Sequence, residues 1–417
     1  MFKKLKLENF RTHINSEIEL NDVTLIIGAN NSGKSNFLSG LHYFSKLVSL
    51  YYPKRISDYD EYVLRPSNYY PNKHSLSDKK TPITFNCVWE KENNIINYNI
   101  SIFPDSADES IILCNEILVF NETKFKSGFE KKTSKLRLRK IIDETKSVEN
   151  KNIIELFFKE LASFHYYNFQ PTFLKGLGVP LEYSYGHLKP QKKTDYIRDK
   201  RENNKNPFIP AELGKEGSNL QELLRYVKEY EGETYNRFLG YLKRFVNNFN
   251  GLIIKDDEIK WQFDMGGSNF PFFSPDKISD GMVKAAAVAL LCSLKNKPSI
   301  ILLEEVENGI NQKKISEFLN WLRTTSDNSR NTQFIITSHS SSVIREFNDS
   351  LSSVYNIHLR KKDYKSIFTN LNNAIKPLVN MGTISEIDRV KKNGKEEIII
   401  SKNQLVELFF NGILGEL

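Results

Sequence analysis

Residues 28–35 read Gly28-Ala29-Asn30-Asn31-Ser32-Gly33-Lys34-Ser35 and fit G-x-x-x-x-G-K-[ST]. This spacing suits the gripping of a phosphate. The glycines let the backbone wrap an anion, so that several N–H groups point inward at the start of a helix. Lys34 brings a point charge to the β- and γ-phosphates of a nucleotide, and the Ser35 hydroxyl can ligate Mg²⁺. The candidate nucleotide-binding residues are therefore Asn30, Asn31, Ser32, Gly33, Lys34, Ser35 and the adjoining Asn36, with ATP and Mg²⁺ as the expected cofactors.

Far downstream, Ile300-Ile301-Leu302-Leu303 is an apolar run that ends in Glu304-Glu305. At the carboxyl end of a buried parallel strand, such acids point into the crevice where ligands bind. Glu304 is expected to hold Mg²⁺ through water. Glu305 is expected to orient or deprotonate an attacking water, which makes it the first catalytic candidate. Taken alone the pair reads equally well as a solvated strand end; the phosphate loop tips the balance.

Two further elements belong with these. Ile278-Ser279-Asp280-Gly281-Met282 opens a helix, with Ser279 in the N-cap position. A cap with free N–H groups is also an anion site, although an isolated tripeptide of this kind is often a plain helix start. Gln333-Phe334-Ile335-Ile336-Thr337-Ser338 is another buried strand, followed by His339. A lone His is more often structural. At the crevice end of a sheet strand its imidazole can sense a γ-phosphate, which makes His339 the second catalytic candidate.

These residues need a sheet to position them. Val23-Thr24-Leu25-Ile26-Ile27 is continuously apolar and stops at Gly28, as a strand buried on both faces does. Lys4 to Phe10 alternates polar and apolar, and apolar residues from Phe37 to Val48 recur at helical spacing. The last third reads helix 279–294, strand 300–303, helix 314–323 and strand 333–337, the alternation of a parallel sheet covered on both faces. Between them, 83–89 and 95–102 alternate like antiparallel strands, 153–161 reads as a helix and 165–169 as a short strand. Helical spacing returns over 217–248, without the sustained heptads of a long coiled coil.

The chain has 417 residues, 39% hydrophobic and 26% charged. That is enough apolar material for a core and excludes a wholly disordered chain. Lys plus Arg total 59 against 51 Asp plus Glu, a net charge of +8. This permits a phosphate-rich partner without demanding one, because the surplus lies in short runs such as 131–140 and 189–205. Cys87, Cys114 and Cys292 lie far apart with no C-x-x-C spacing, so neither a disulfide framework nor a zinc cluster is expected and a reducing cytoplasm fits. The opening MFKKLKLENF lacks an apolar signal core, and no run of about 18 apolar residues suggests a membrane span. The expected division is 1–50 and 276–345 as the two parts of a nucleotide-binding core, with 51–170 as an inserted antiparallel β and helical lobe. Residues 171–275 form a helical lobe with a basic exposed loop, and 346–417 a C-terminal extension that could meet a partner.

The order of phosphate loop, SDG element, double-acid strand and TSH strand resembles the ABC-type ATPases of the RecF/SMC/OLD group. Asn9-Phe10-Arg11 is similar to the N-F-R opening of that group, and Gly217-Ser218-Asn219-Leu220 to the G-x-N-L helix start of its OLD-like branch. The resemblance covers roughly 1–45 and 215–345. It implies a P-loop NTPase of the ABC/SMC/RecF type, an α/β fold with a mostly parallel core sheet, and two heads paired head to tail around two nucleotides. It further implies that Ser279 and Gly281 touch the γ-phosphate held by the other copy and that Asn308 and Gly309 lie at the seam. Gln170 would be the Q-loop glutamine near the metal, and Arg11 would approach the phosphates. The chain departs from the family pattern at Val306, Asn311-Gln312 and Met282-Val283-Lys284, and it has Glu304 where Asp is commoner. These departures bear on seam geometry and hydrolysis rate, not on nucleotide binding.

The OLD nucleases carry a Toprim domain with its own acidic cluster, and no such cluster follows His339. The resemblance is then to stand-alone ATPase subunits of bacterial anti-phage systems, such as AriA of PARIS, PtuA of Septu and the abortive-infection ATPases. It implies an ATPase acting as sensor or scaffold for a separately encoded effector, a nuclease or toxin, with DNA or a phage protein as the trigger. The alternatives are a RecF-like DNA-repair ATPase, which the basic runs would serve, and a nucleotide-gated structural protein that barely hydrolyses.

Overall fold

The computed structural model describes residues 1–51, 64–78, 80–121, 123–125, 136–177, 213–255, 258–266, 270–329, 332–384, 387–392 and 395–411. In chain order the first elements are β1 (Phe2–Phe10), β2 (His13–Glu19), β3 (Val23–Ile27) and helix α1 (Lys34–Tyr51). Then come β4 (Ile83–Lys91), β5 (Asn94–Pro104), β6 (Ile112–Phe120), β7 (Thr123–Phe125), helices Leu138–Glu144 and Val148–Leu161, and β8 (Phe164–Tyr167). Helices Leu220–Tyr230 and Gly232–Phe245 precede β9 (Phe249–Lys255), β10 (Glu258–Phe263) and β11 (Phe272–Phe273). Helix Asp280–Ser293, β12 (Ile300–Leu303), helix Ile315–Ser329 and β13 (Gln333–Ser338) follow. The chain continues through β14 (Val354–Arg360), β15 (Lys365–Asn370), helix Leu371–Asn380, β16 (Asp388–Lys392), β17 (Lys395–Ile399) and helix Lys402–Phe410.

Two compact units result. The first comprises Met1–Tyr166, Pro298–Val306 and Arg323–Leu417. Its core sheet has the order β15-β14-β3-β13-β12-β8. β3 lies parallel between β13 and β14, β12 pairs parallel with β13, and β15 closes antiparallel on β14. Every residue of β3, β12 and β13 is buried, which is why these strands read as unbroken apolar runs.

The second sheet of this unit is antiparallel, in the order β2-β1-β4-β5-β6-β7. It begins with the N-terminal hairpin, so β4 to β7 extend β1 and do not form a separate inserted lobe. On β5, Ile96, Tyr98, Ile100 and Ile102 are buried while Asn97, Asn99 and Ser101 alternate outward. Phe44 of α1 stacks on Phe85 at 5.2 Å, and Tyr98 meets the edge of Phe158 at 5.5 Å. Phe158 belongs to helix Val148–Leu161, which Ser147 caps by accepting from the Asn150 N–H. Each fully buried aromatic of this cluster contributes roughly 1.5–3 kcal/mol, and together they fix α1 behind the phosphate loop.

The second unit comprises Tyr167–Lys297 and Glu307–Leu322. The apolar helix Asp280–Ser293 is buried all round from Met282 onward. Trp321 packs at 5.2 Å from both Tyr241 and Phe245. The expected helical lobe over 171–275 contains strands as well as helices. The region also holds the sheet β11-β10-β9, whose first strand (FNGLIIK) joins directly to the preceding helical pattern and hides in it. The short strand expected over 165–169 runs over Phe164–Tyr167. The basic run 189–205 lies outside the described residues, as does 131–135, the first half of the run 131–140.

Glu116 sits in the first unit, 2% exposed, accepting from the Tyr98 hydroxyl at 2.6 Å and from the Arg137 N–H at 2.7 Å. Burial outweighs both bonds and pushes its carboxyl up to about 7. A raised acid holds its proton in the folded state before the unfolded one. Its ionisation therefore costs stability as pH rises from about 4.5 through about 7. Relative to wild type, Glu116→Gln is expected to gain stability over that window, by about 3 kcal/mol in total. Denaturant midpoints of both proteins from pH 4.5 to pH 8 would check this, and a gap that does not change with pH would refute it.

Candidate functional site

The phosphate loop connects β3 to α1, which begins at Lys34. Gly28 and Gly33 adopt φ of +153° and +109°, and a Cβ on either would lie 2.2 Å from the Ile357 carbonyl oxygen or the Ser366 Oγ. Glycine is required there by backbone conformation and by space. Asn31 is also left-handed at φ +64°, a region Asn tolerates. Ser366 Oγ donates to the Ser32 carbonyl at 2.7 Å, and the Ser366 N–H donates to the Thr12 carbonyl at 2.8 Å. Lys34 Nζ donates to the carbonyls of Gly28 at 2.5 Å and Ala29 at 2.8 Å.

His13 supports the same loop. Its Nε2 lies 3.0 Å from the Gly33 carbonyl and its Nδ1 2.8 Å from Ser16 Oγ. Burial lowers its pKa to about 4, with the nearby Arg11 charge acting in the same direction and the Gly33 bond opposing. The ring is therefore neutral near pH 7. The carbonyl can only accept, so the proton sits on Nε2 and Nδ1 accepts from Ser16.

The acids meet this loop from across the sequence. Glu304, 8% exposed, follows β12, and one of its oxygens accepts from the Ser35 hydroxyl, 269 residues away in sequence. The other accepts from the Tyr166 hydroxyl at the end of β8. Burial, and then the adjacent Glu304 charge, push the Tyr166 phenol up, so it stays protonated and donates. Glu305 is half-buried with a left-handed backbone, φ +46°. Thr337 holds that turn: its Oγ1 accepts from the Glu305 N–H at 3.0 Å and its carbonyl from the Val306 N–H at 3.2 Å. Such a conformation costs a non-glycine residue on the order of 1–3 kcal/mol and persists where neighbours over-determine it. His339 is exposed immediately after β13.

Arg11 reaches the first turn of α1. Its Nη1 lies 3.4 Å from Asn36 Oδ1, and its Nε donates to Asn72 Oδ1 at 3.1 Å. The Arg11 carbonyl lies 2.5 Å from His74 Nδ1. The first unit thus brings together Arg11, Asn30, Asn31, Ser32, Gly33, Lys34, Ser35 and Asn36 with Glu304, Glu305 and His339 at the carboxyl edge of the parallel strands.

The remaining predicted residues belong to the second unit. Ser279 is the N-cap of helix Asp280–Ser293; its side chain is exposed and makes no capping hydrogen bond. Gly281 faces the Gly309 carbonyl so closely that a Cβ would sit 2.1 Å from its oxygen. Asn308 and Gln170 are exposed, and Gln170 Nε2 donates to Asn168 Oδ1 at 3.1 Å. Sequence reading missed Thr12, His13, Tyr166 and Ser366. None belongs to a motif; each reaches the site through tertiary packing alone.

A mostly parallel sheet with a glycine-rich phosphate loop after one strand and paired acids after another defines a P-loop NTPase fold. Residues 23–345 match the family described as "AAA domain, putative AbiEii toxin, Type IV TA system", and the chain belongs to that family. No curated relative matches the chain. Similar solved structures include an SMC head bound to the C-winged helix domain of ScpA, at 12% identity and a TM-score of 0.49, covering 89% of this chain and 99% of that one. Another is the SMC head domain of Thermotoga maritima, at 17% identity and 0.43, covering 88% and 98%. A third is the Pyrococcus furiosus Smc head bound to the C-terminal domain of ScpA, at 12% and 0.44, covering 91% and 99%. Among the described residues, no helix is long and apolar enough to cross a membrane.

The neutral His13 gives this loop a pH limit. Its folded pKa, about 4, lies below the usual 6.5, so the unfolded chain takes up the proton first. The contribution of the neutral ring is intact above about 6.5 and is lost as pH falls toward about 4, by about 3 kcal/mol in total. His13→Gln, which cannot titrate, is expected to flatten that part of the stability profile. Urea midpoints from pH 4 to pH 7 measure it, and parallel profiles for the two proteins would refute the assignment.

Proposed function

We propose that the chain binds ATP with Mg²⁺ and hydrolyses it at a seam between two copies paired head to tail, and that it serves as the sensor or scaffold subunit of a bacterial anti-phage defence complex. In this reading the ATPase controls a separately encoded effector, a nuclease or toxin. The observation that carries the ATPase part is the bond between the Ser35 hydroxyl and Glu304, which joins loop and acid into one site.

The residues present suit the cofactors. Ser32 Oγ is buried in the loop without a hydrogen-bond partner, a donor ready for a phosphate oxygen. Ser35 and Glu304 supply the hard oxygen donors that Mg²⁺ prefers. When bound, Mg²⁺ screens and polarises the phosphate oxygens. Lys34 would exchange the Gly28 and Ala29 carbonyls for phosphate. Glu305, fixed by Thr337, would accept the proton of an attacking water, with His339 beside the γ-phosphate. Arg11 would add positive charge from the first turn of α1.

Support for the seam comes from Ser279. Its hydroxyl is exposed and unused by its own helix, so it can reach a phosphate held by a second copy, with Gly281 and Asn308 beside it. The family description, which names a toxin and a TA system, accords with a chain that works alongside a second protein.

Lys34→Ala is expected to abolish ATP binding in equilibrium titration. Glu305→Gln should bind ATP normally, lower turnover by about 100-fold or more, and accumulate an ATP-dependent dimer in native mass measurements. Ser279→Arg should remove that dimer while leaving monomer binding intact. Unchanged turnover in Glu305→Gln would exclude it as the base, and unchanged binding in Lys34→Ala would exclude the site.

A further inference from the structure

Tyr166 lies outside the motifs that announce the site, yet it touches the proposed cation ligand directly. Its hydroxyl donates to one oxygen of Glu304 while Ser35 donates to the other. Tyr166 is 7% and Glu304 8% exposed, so the bond is held away from water. The Tyr166 ring packs 5.9 Å from His42 of α1, which fixes the phenol from the helix that follows the phosphate loop. The two oxygens of Glu304 therefore have different partners on different elements, and the carboxylate, one methylene longer than Asp, spans both.

This division limits what the carboxylate can do. Closing on a cation with both oxygens would break the bond that Tyr166 donates to Glu304. Ca²⁺ takes six to eight oxygens and often both oxygens of one carboxylate, whereas Mg²⁺ needs a compact octahedral shell. We infer that Tyr166 is a positioning residue that leaves Glu304 one oxygen for the cation side, and so makes the site favour Mg²⁺ over Ca²⁺. The inference rests on the reading of Ser35 and Glu304 as cation ligands, and it takes Glu304 as a direct ligand in place of the water-mediated contact expected from sequence.

The test measures affinity for a fluorescent ATP analogue in Mg²⁺, in Ca²⁺ and in EDTA, using the full chain. Tyr166→Phe keeps the ring and removes the bond. It is expected to shrink the Mg²⁺-to-Ca²⁺ affinity ratio about tenfold, with affinity in EDTA unchanged. Glu304→Gln should erase cation dependence, and adding Tyr166→Phe to it should change nothing further. If Tyr166→Phe keeps the wild-type ratio while Glu304→Gln loses cation dependence, the inference fails and the site reading stands. An equal loss for Tyr166→Phe in all three conditions would show a merely structural role and also overturn it. If Glu304→Gln keeps full cation dependence, or Lys34→Ala binds normally, the inference and the site reading fall together.

Discussion

The meeting of Ser35 and Glu304 is the constraint on which the site depends. These residues can touch only if β3 and β12 run the same way in one sheet and end on the same edge. The parallel order β14-β3-β13-β12 achieves this. Placing β13 between β3 and β12 brings His339 to that same edge. It also puts Thr337 beside β12, where it bonds the Glu305 turn. The sheet is held by burial on both faces, and the site is a consequence of where its strands stop.

The loop and the acid turn both hold backbone that an isolated chain would avoid. Asn31 and Glu305 are left-handed, and Gly28 and Gly33 take conformations that side chains rarely adopt. Their neighbours keep them there. Thr337 takes both N–H groups of the acid turn, while His13 and Ser366 bond carbonyls of the loop. A charged His13 in this position would place a second cation near Arg11. Burial removes that charge. The same physics acts with opposite sign on Glu116, where it keeps a proton on an acid.

Legibility followed the range of the interactions. β3, β12 and β13 were readable because burial on both faces leaves an unbroken apolar run, and β4 and β5 because burial on one face leaves alternation. The phosphate loop and the two acids were readable because their chemistry fixes residue type and spacing locally. β9 to β11 were not, since a seven-residue strand that joins a helical pattern without a turn signal has no separate period. Tyr166 illustrates the limit at the site. Nothing adjacent to it in sequence marks it, and its importance comes from β8 standing beside β12 in the sheet.

The family match spans 23–345, but the shape of the phosphate loop depends on residues on both sides of that span. Thr12 and His13 precede it; Ile357 and Ser366 follow it. Gly33 has no room for a Cβ because Ser366 is there, and Gly28 has none because β14 is there. The glycines that make the motif recognisable are thus required by strands outside the recognised region. Those strands are tied in turn to the C-terminal hairpin. Asn372, just after β15, donates to the Glu396 carbonyl at 2.7 Å and accepts from the Ile398 N–H at 3.0 Å. The last part of the chain is therefore structurally continuous with the phosphate loop, through β15.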